Sequence, residues 1–234
     1  MMWWIALALA LPVSATAPAS IAASLSTFGQ DNVPNWSEER HKESDITVRY
    51  YQGFSECIVN RWPEKAEAFL VSLPGSDAYN LAARQLMDDA GLCVFSGAVR
   101  MSRRRLHGFL AEALIKKGRK PLPAAWLSPN ETPASLVAKI GATSTGNLGQ
   151  QQKRFRLGRE VAFCTVQQSG VLVENLLQTR PTSSQEQAAL RSLNPIMSRC
   201  LGGRHMRYER ALDVRASLME ALYWQRGSEG RADA

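Results

Sequence analysis

From about residue 46 onward, apolar residues recur at helical spacing, and no stretch shows the sustained two-residue alternation of a strand. Tyr50, Phe54, Cys57 and Ile58 line one apolar stripe, with Arg61 continuing the same spacing. Pro63 suits the first position of a second helix, where a missing N–H costs nothing. That helix carries Ala66, Phe69 and Leu70 and ends before Pro74. Ser76 is placed to cap a third helix bearing Leu81, Leu86 and, near its end, Cys93. Ser102 is placed to cap a fourth, whose apolar face is Leu106, Phe109, Leu110, Ala113 and Leu114. Gly118 fits its C-terminal stop.

The plan then recurs. Val161, Cys164 and Thr165 fall on a helix, and residues 171–177 form the next. Ser183 with Glu186 has the spacing of a capping box. Leu218 and Leu222 lie on the last helix, which Gly227 is expected to stop. The four cysteines carry the same period, because 93 − 57 = 36 and 200 − 164 = 36. Equal spacing points to an internal repeat. A shift of 107 aligns Val59 with Val166, Glu67 with Glu174, Leu70 with Leu177 and Pro74 with Pro181. It also aligns Ser76 with Ser183, Ala82 with Ala189, Arg84 with Arg191 and Leu86 with Leu193. With the cysteines these are 10 identities in 37 ungapped positions. One residue is then inserted, and a shift of 108 superposes Leu110-Ala-Glu-Ala-Leu114 on Leu218-Met-Glu-Ala-Leu222.

Two equivalent units most simply close their own bridges, Cys57–Cys93 and Cys164–Cys200. Crossed bridges would respect the same symmetry, and four free thiols are the alternative in a reducing compartment. A closed loop of this length stabilises by about 4 kcal/mol in the chain-entropy description. There is no CxxC, so neither a thioredoxin-type site nor a zinc knuckle is indicated.

At the N-terminus, Trp3 to Val13 is apolar apart from Pro12 and too short to span a bilayer. It reads as the core of a secretory signal covering residues 1–23, with cleavage after Ala15 or Ala23. Against this, no Lys or Arg precedes the run. Residues 24–45 are polar, broken by Pro34, and read as a flexible arm. Helical repeat 1 is assigned to 46–118 and repeat 2 to 153–227. Between them, 119–152 holds Pro121, Pro123, Pro129 and Pro133 and reads as a linker with a short helix at 133–140. The tail, 228–234, has too few apolar residues to fold. The expectation is an all-α protein of two tandem small helical bundles, each closed by one disulfide within the repeat.

Composition supports a globular chain: 45% of 234 residues are hydrophobic and 21% charged, with mean hydropathy −0.22. No transmembrane span is expected in the mature chain. Lys and Arg exceed Asp and Glu, 28 to 21, for a net charge of +7. No charged side chain precedes Asp31, so cleavage would leave that balance intact. Such an excess favours polyanionic partners, although solubility alone would also explain it. The basic residues cluster. Arg100, Arg103, Arg104 and Arg105 open the last helix of repeat 1, and Arg204, Arg207 and Arg210 occupy the same region of repeat 2. Basic charge at a helix N-terminus opposes the macrodipole, so helix stability does not explain it. These arginines are the candidate polyanion-binding strip.

Catalytic signals are absent. Glu112 and Glu220 recur on the two terminal helices, but on a helical wheel Glu112 projects away from the apolar stripe and reads as a solvent-facing helix former. His41, His107 and His205 show no metal-ligand spacing, and no GxSxG motif occurs. Gly141 to Gly146 has the glycine spacing of a phosphate loop, but Asn147 and Leu148 stand where Lys and Ser or Thr are required. Asn35-Trp-Ser and Asn130-Glu-Thr match the glycosylation acceptor pattern, which matters only in a eukaryotic secretory pathway. No catalytic residue, metal or cofactor is assigned.

The pattern Phe54-Ser-Glu-Cys57-Ile-Val, Pro74, Cys93 and Leu110-Ala-Glu-Ala-Leu114 resembles uncharacterised exported proteins of alphaproteobacteria with two cysteine-paired helical units. The resemblance covers residues 50–225 and brings no activity with it. Val161-Ala-Phe-Cys164 departs from it, lacking the acidic residue before cysteine. The sequence therefore leads to a periplasmic or secreted, non-enzymatic binding or scaffolding protein of the cell envelope. Its expected partner is an anionic envelope polymer or lipid, or a protein; nucleic acid is not expected for an exported chain. The alternatives are an envelope hydrolase with a site between the repeats, and thiol redox activity at an exposed bridge.

Overall fold

A computed structural model of the chain describes residues 45–94, 101–143, 150–204 and 211–232. The expected leader and almost all of the arm lie outside them. The described residues form helices and no strand. Repeat 1 supplies α1 (Asp45–Arg61), α2 (Pro63–Val71), α3 (Asp77–Ala90) and α4 (Arg103–Lys116), with a short 3-10 turn at Gly91–Cys93 between the last two. A connecting helix α5 spans Pro133–Ala142. Repeat 2 supplies α6 (Gln150–Leu177), α7 (Ser184–Leu201) and α8 (Ala211–Ala232).

The duplication is visible in the backbone. Trp62 breaks the path between α1 and α2 with φ −139 and ψ 58. Ser169, 107 residues later, breaks α6 with φ −156 and ψ 56. The two arms of α6 therefore correspond to α1 and α2. Ser76 and Ser183 both cap, accepting from Tyr79 N and Glu186 N. The residue before each cap is left-handed: Gly75 at φ 91 and Thr182 at φ 66. Glycine adopts that region freely, whereas β-branched threonine is strained there. Each repeat closes its own bridge, Cys57–Cys93 and Cys164–Cys200.

Ser102 caps α4 as expected, and Gly118 after it is left-handed. Gly227 does not end α8, which continues to Ala232. A Cβ on Gly227 would lie 2.6 Å from the Leu122 carbonyl oxygen, so this glycine admits a neighbouring backbone. Of the segment expected to be a linker, 119–152, the described residues 119–143 include a packed stretch. Ala124, Leu127, Leu136 and Ile140 are buried, and Trp126 donates to the Val71 carbonyl at 2.8 Å. Its prolines end helices without preventing burial between them. Leu81, placed on the apolar face of α3, is instead half exposed.

One apolar core joins the two repeats, drawing on residues from α1 through α8. α8 packs on both α4 and α6, while α4 also contacts α1. Residues 106–115 of α4 and 214–224 of α8 are buried around the whole circumference.

Candidate functional site

At the centre of the fold α4 crosses α8 at Gly108 and Ala216, which are equivalent under the 108 shift. A Cβ on Gly108 would lie 2.3 Å from the Ala216 carbonyl oxygen. Glycine inside a helix costs about 1 kcal/mol relative to alanine; here it allows the backbones to touch.

Two buried charge clusters flank this crossing, and they are built from equivalent positions. His107 of repeat 1 reaches Glu220 of repeat 2, with Nδ1 2.8 Å from Oε1. Arg215, the equivalent of His107, reaches Glu112, the equivalent of Glu220. Its Nε and Nη2 donate to the two carboxylate oxygens at 2.8 Å each. The second contacts match as well. His107 Nε2 lies 3.3 Å from the Phe69 carbonyl, and Arg215 Nη1 donates at 3.2 Å to the equivalent Leu176 carbonyl. A third position, 79 and 186, completes each cluster. Arg215 Nη1 donates to Glu186 at 3.0 Å, while the Tyr79 ring centroid lies 5.8 Å from that of His107.

The copies differ in how the charge is balanced. Arg159 joins the Glu220 cluster and donates from Nε at 3.1 Å to both oxygens. Burial works to raise the Glu220 pKa, but Arg159 and His107 outweigh it and hold the carboxyl at about 2. Burial pushes the Tyr79 phenol up to about 12. In the other cluster one guanidinium faces two carboxylates. Burial opposes ionisation of both; Arg215 and Lys116 hold Glu112 below its ordinary value, whereas burial prevails at Glu186 and raises it. Low local dielectric makes an unpaired charge costly here, so each ion is locked to its partner.

Glu112 is thus not the solvent-facing residue the helical wheel suggested; it and its equivalent Glu220 are 4% and 1% exposed. A wheel assumes one buried face, and α4 and α8 have no exposed face over these turns. The readable signal was paired: a basic residue five positions before the repeated glutamate in both copies, next to Gly108 or Ala216. Among the described residues, no group of His, Cys, Asp and Glu is arranged to hold a metal ion.

The predicted arginine strip is divided. Arg103 is exposed and donates to Asn80 Oδ1 at 2.8 Å. Arg104 turns inward to the Ser217 hydroxyl and lies over the Phe155 ring. Arg105 donates from Nε to Asp213 at 2.6 Å. Arg204 is exposed but forms a two-pronged pair with Glu160. Arg100, Arg207 and Arg210 lie outside the described residues.

On the outer side of repeat 1, a surface groove of about 330 Å³ runs between α1, α3 and the start of α4. Its lining includes Phe54, Ala83, Met87 and Leu106, with Arg84 and Arg103. No helix of the described residues is long and apolar enough to cross a membrane. No protein-family model, curated protein or solved structure matches the chain.

Proposed function

We propose that the protein is a non-enzymatic binding or scaffolding protein of the cell envelope, periplasmic or secreted, that contacts anionic polymers or lipids through exposed basic side chains. One observation carries this reading: the fold buries more acidic than basic side chains and leaves more basic than acidic ones exposed. Glu67, Glu112, Glu131, Glu186 and Glu220 are buried, against Arg215 as the one fully buried guanidinium among the described residues. Arg84, Arg103, Lys117, Lys120, Arg180 and Arg191 are exposed. The net charge is unchanged by this sorting, but the groups that touch a partner are mainly cationic donors. Arginine forks suit phosphate and carboxylate groups.

Two further points support it. Disulfides closing each repeat persist in oxidising compartments, which agrees with the apolar leader. The charged groups at the α4–α8 crossing stand at equivalent positions in the two copies and pair across it, which serves assembly.

The test is binding of the full chain to phosphatidylglycerol vesicles, phosphatidylcholine vesicles and soluble dextran sulfate across a salt series. Retention on either polyanion but not on phosphatidylcholine, falling steeply with salt, is expected. The double variant Arg103→Glu, Arg210→Glu should bind about tenfold more weakly with its helical circular dichroism intact. Absence of polyanion binding at low salt, or wild-type binding by the variant, refutes the reading.

A further inference from the structure

The internal repeat separates the features both copies keep from the side chains in which they differ. Both copies keep the backbone break, the serine cap, the disulfide and the buried crossing. Among the described residues, several side chains that line the groove on repeat 1 are not kept, although Arg84 recurs as Arg191. Ala83 in its lining is replaced by Leu190, equally buried (4% against 3% exposed) but with a larger side chain. Phe54 is replaced by Val161, Met87 by Asn194 and Asp88 by Pro195. The capping, bridging and crossing functions are all met in repeat 2 without these side chains, so stability of the repeat does not call for them.

The chemistry of the lining is amphipathic. Phe54, Ala83, Met87, Met101 and Leu106 make an apolar bed. Two of its members are methionines, whose unbranched, polarisable side chains adapt to irregular apolar shapes. Met87 is 46% exposed, a solvent contact that a bound apolar group would remove. Arg84 and Arg103 stand on this bed with one carboxylate, Asp88. Among the described residues neither guanidinium forms a salt bridge, and Arg103 is steadied by Asn80. The volume lies at the lower end of small-ligand sites.

From this combination we propose that the groove binds a single-chain amphiphile with an anionic head, its alkyl chain lying on Phe54, Ala83, Met87, Met101 and Leu106 and its head paired with Arg84 and Arg103. This goes beyond polyanion binding at the surface, which needs no apolar bed.

The two methionines provide the readout. The full chain carrying [¹³C-methyl]methionine is titrated with laurate below its micellar concentration, with dodecyl maltoside as the uncharged chain and inorganic phosphate as the head alone. Saturable shifts of the Met87 and Met101 methyl signals, with those of Met197 and Met219 in the core unmoved, are expected for laurate. Dodecyl maltoside should bind about tenfold more weakly, the loss of one charge-assisted contact, and phosphate should give no shift. Ala83→Leu copies the residue that repeat 2 carries at this position and fills the bed. It should cost laurate at least about tenfold in affinity while leaving dextran sulfate binding unchanged. Arg84→Gln with Arg103→Gln should bring laurate down to the dodecyl maltoside level. The proposal is overturned if laurate shifts all methionines alike, if Ala83→Leu binds laurate as tightly as the wild type, or if an acidic peptide shifts Met87 and Met101 and laurate does not. Loss of dextran sulfate binding with laurate binding retained would refute the surface reading and leave the groove standing.

Discussion

Glu220 is where the interior ion pairs can be measured most directly. Replacing it with glutamine keeps the shape but leaves Arg159 without its counter-charge and His107 without its carboxylate. In the folded chain Glu220 titrates at about 2 against an ordinary 4.5. By linkage that difference corresponds to about 3 kcal/mol of stability. The sign follows from the direction: a carboxyl lowered by folding stabilises above 4.5, and its contribution drains away as pH falls toward 2. Breaking a buried pair by removing one partner costs about 3–5 kcal/mol, so the two routes agree. At pH 7 the variant should melt roughly 10 °C below the wild type for a chain of this size. Urea titrations of both proteins from pH 7 to pH 2.5 provide the assay. The gap between them should hold to about pH 4.5 and narrow below it, because acid removes from the wild type what the mutation has already removed. Glu56→Gln makes the same charge change at an exposed site and should stay within about 0.5 kcal/mol of wild type. A Glu220→Gln protein within 1 kcal/mol of wild type at pH 7 would refute the account, as would a gap that is constant with pH.

Other outcomes follow from the crossing and the turns. Gly108→Ala puts a methyl group against the Ala216 backbone and should cost about 3 kcal/mol in urea unfolding, because a helix, not a flexible side chain, has to move. Thr182→Gly should stabilise by about 0.5–1 kcal/mol by relieving a left-handed threonine, whereas Gly75→Ala should destabilise, since its Cβ would meet Thr143 Oγ1 at 2.9 Å; equal effects at the two equivalent sites would contradict the strain argument.

The helices were legible in the sequence wherever local rules decide. Ser76, Ser102 and Ser183 cap where their position before an apolar run places them, and Pro63 starts α2. The cysteine period exposed the duplication, and with it the bridges within each repeat. What local rules miss is tertiary. Glu112 was misplaced because a helix buried on all sides has no amphipathic signature. Residues 119–143 looked like a connector because proline frequency reports helix breaks, not whether Leu127 and Leu136 are covered. Gly227 looked like a stop because helix-ending and helix-contacting glycines are identical in sequence. The division of the arginine strip followed from Asp213, Glu160 and Ser217, none of which is near in sequence to its partner.

The reciprocal geometry at Gly108 and Ala216 has the form of an isologous contact, the kind through which two identical subunits pair about a two-fold axis. Residue 107 meets 220 as 215 meets 112. Joining the halves in one chain makes that pairing intramolecular and independent of protein concentration. It also lifts a constraint. A homodimer has to balance both of its symmetry-related charge clusters with the same side chains. This chain balances one with histidine, tyrosine and an added arginine, and the other with arginine and two glutamates. Freed from symmetry at its centre, it can also carry different side chains on its two flanks, Ala83 and Met87 on one where Leu190 and Asn194 stand on the other.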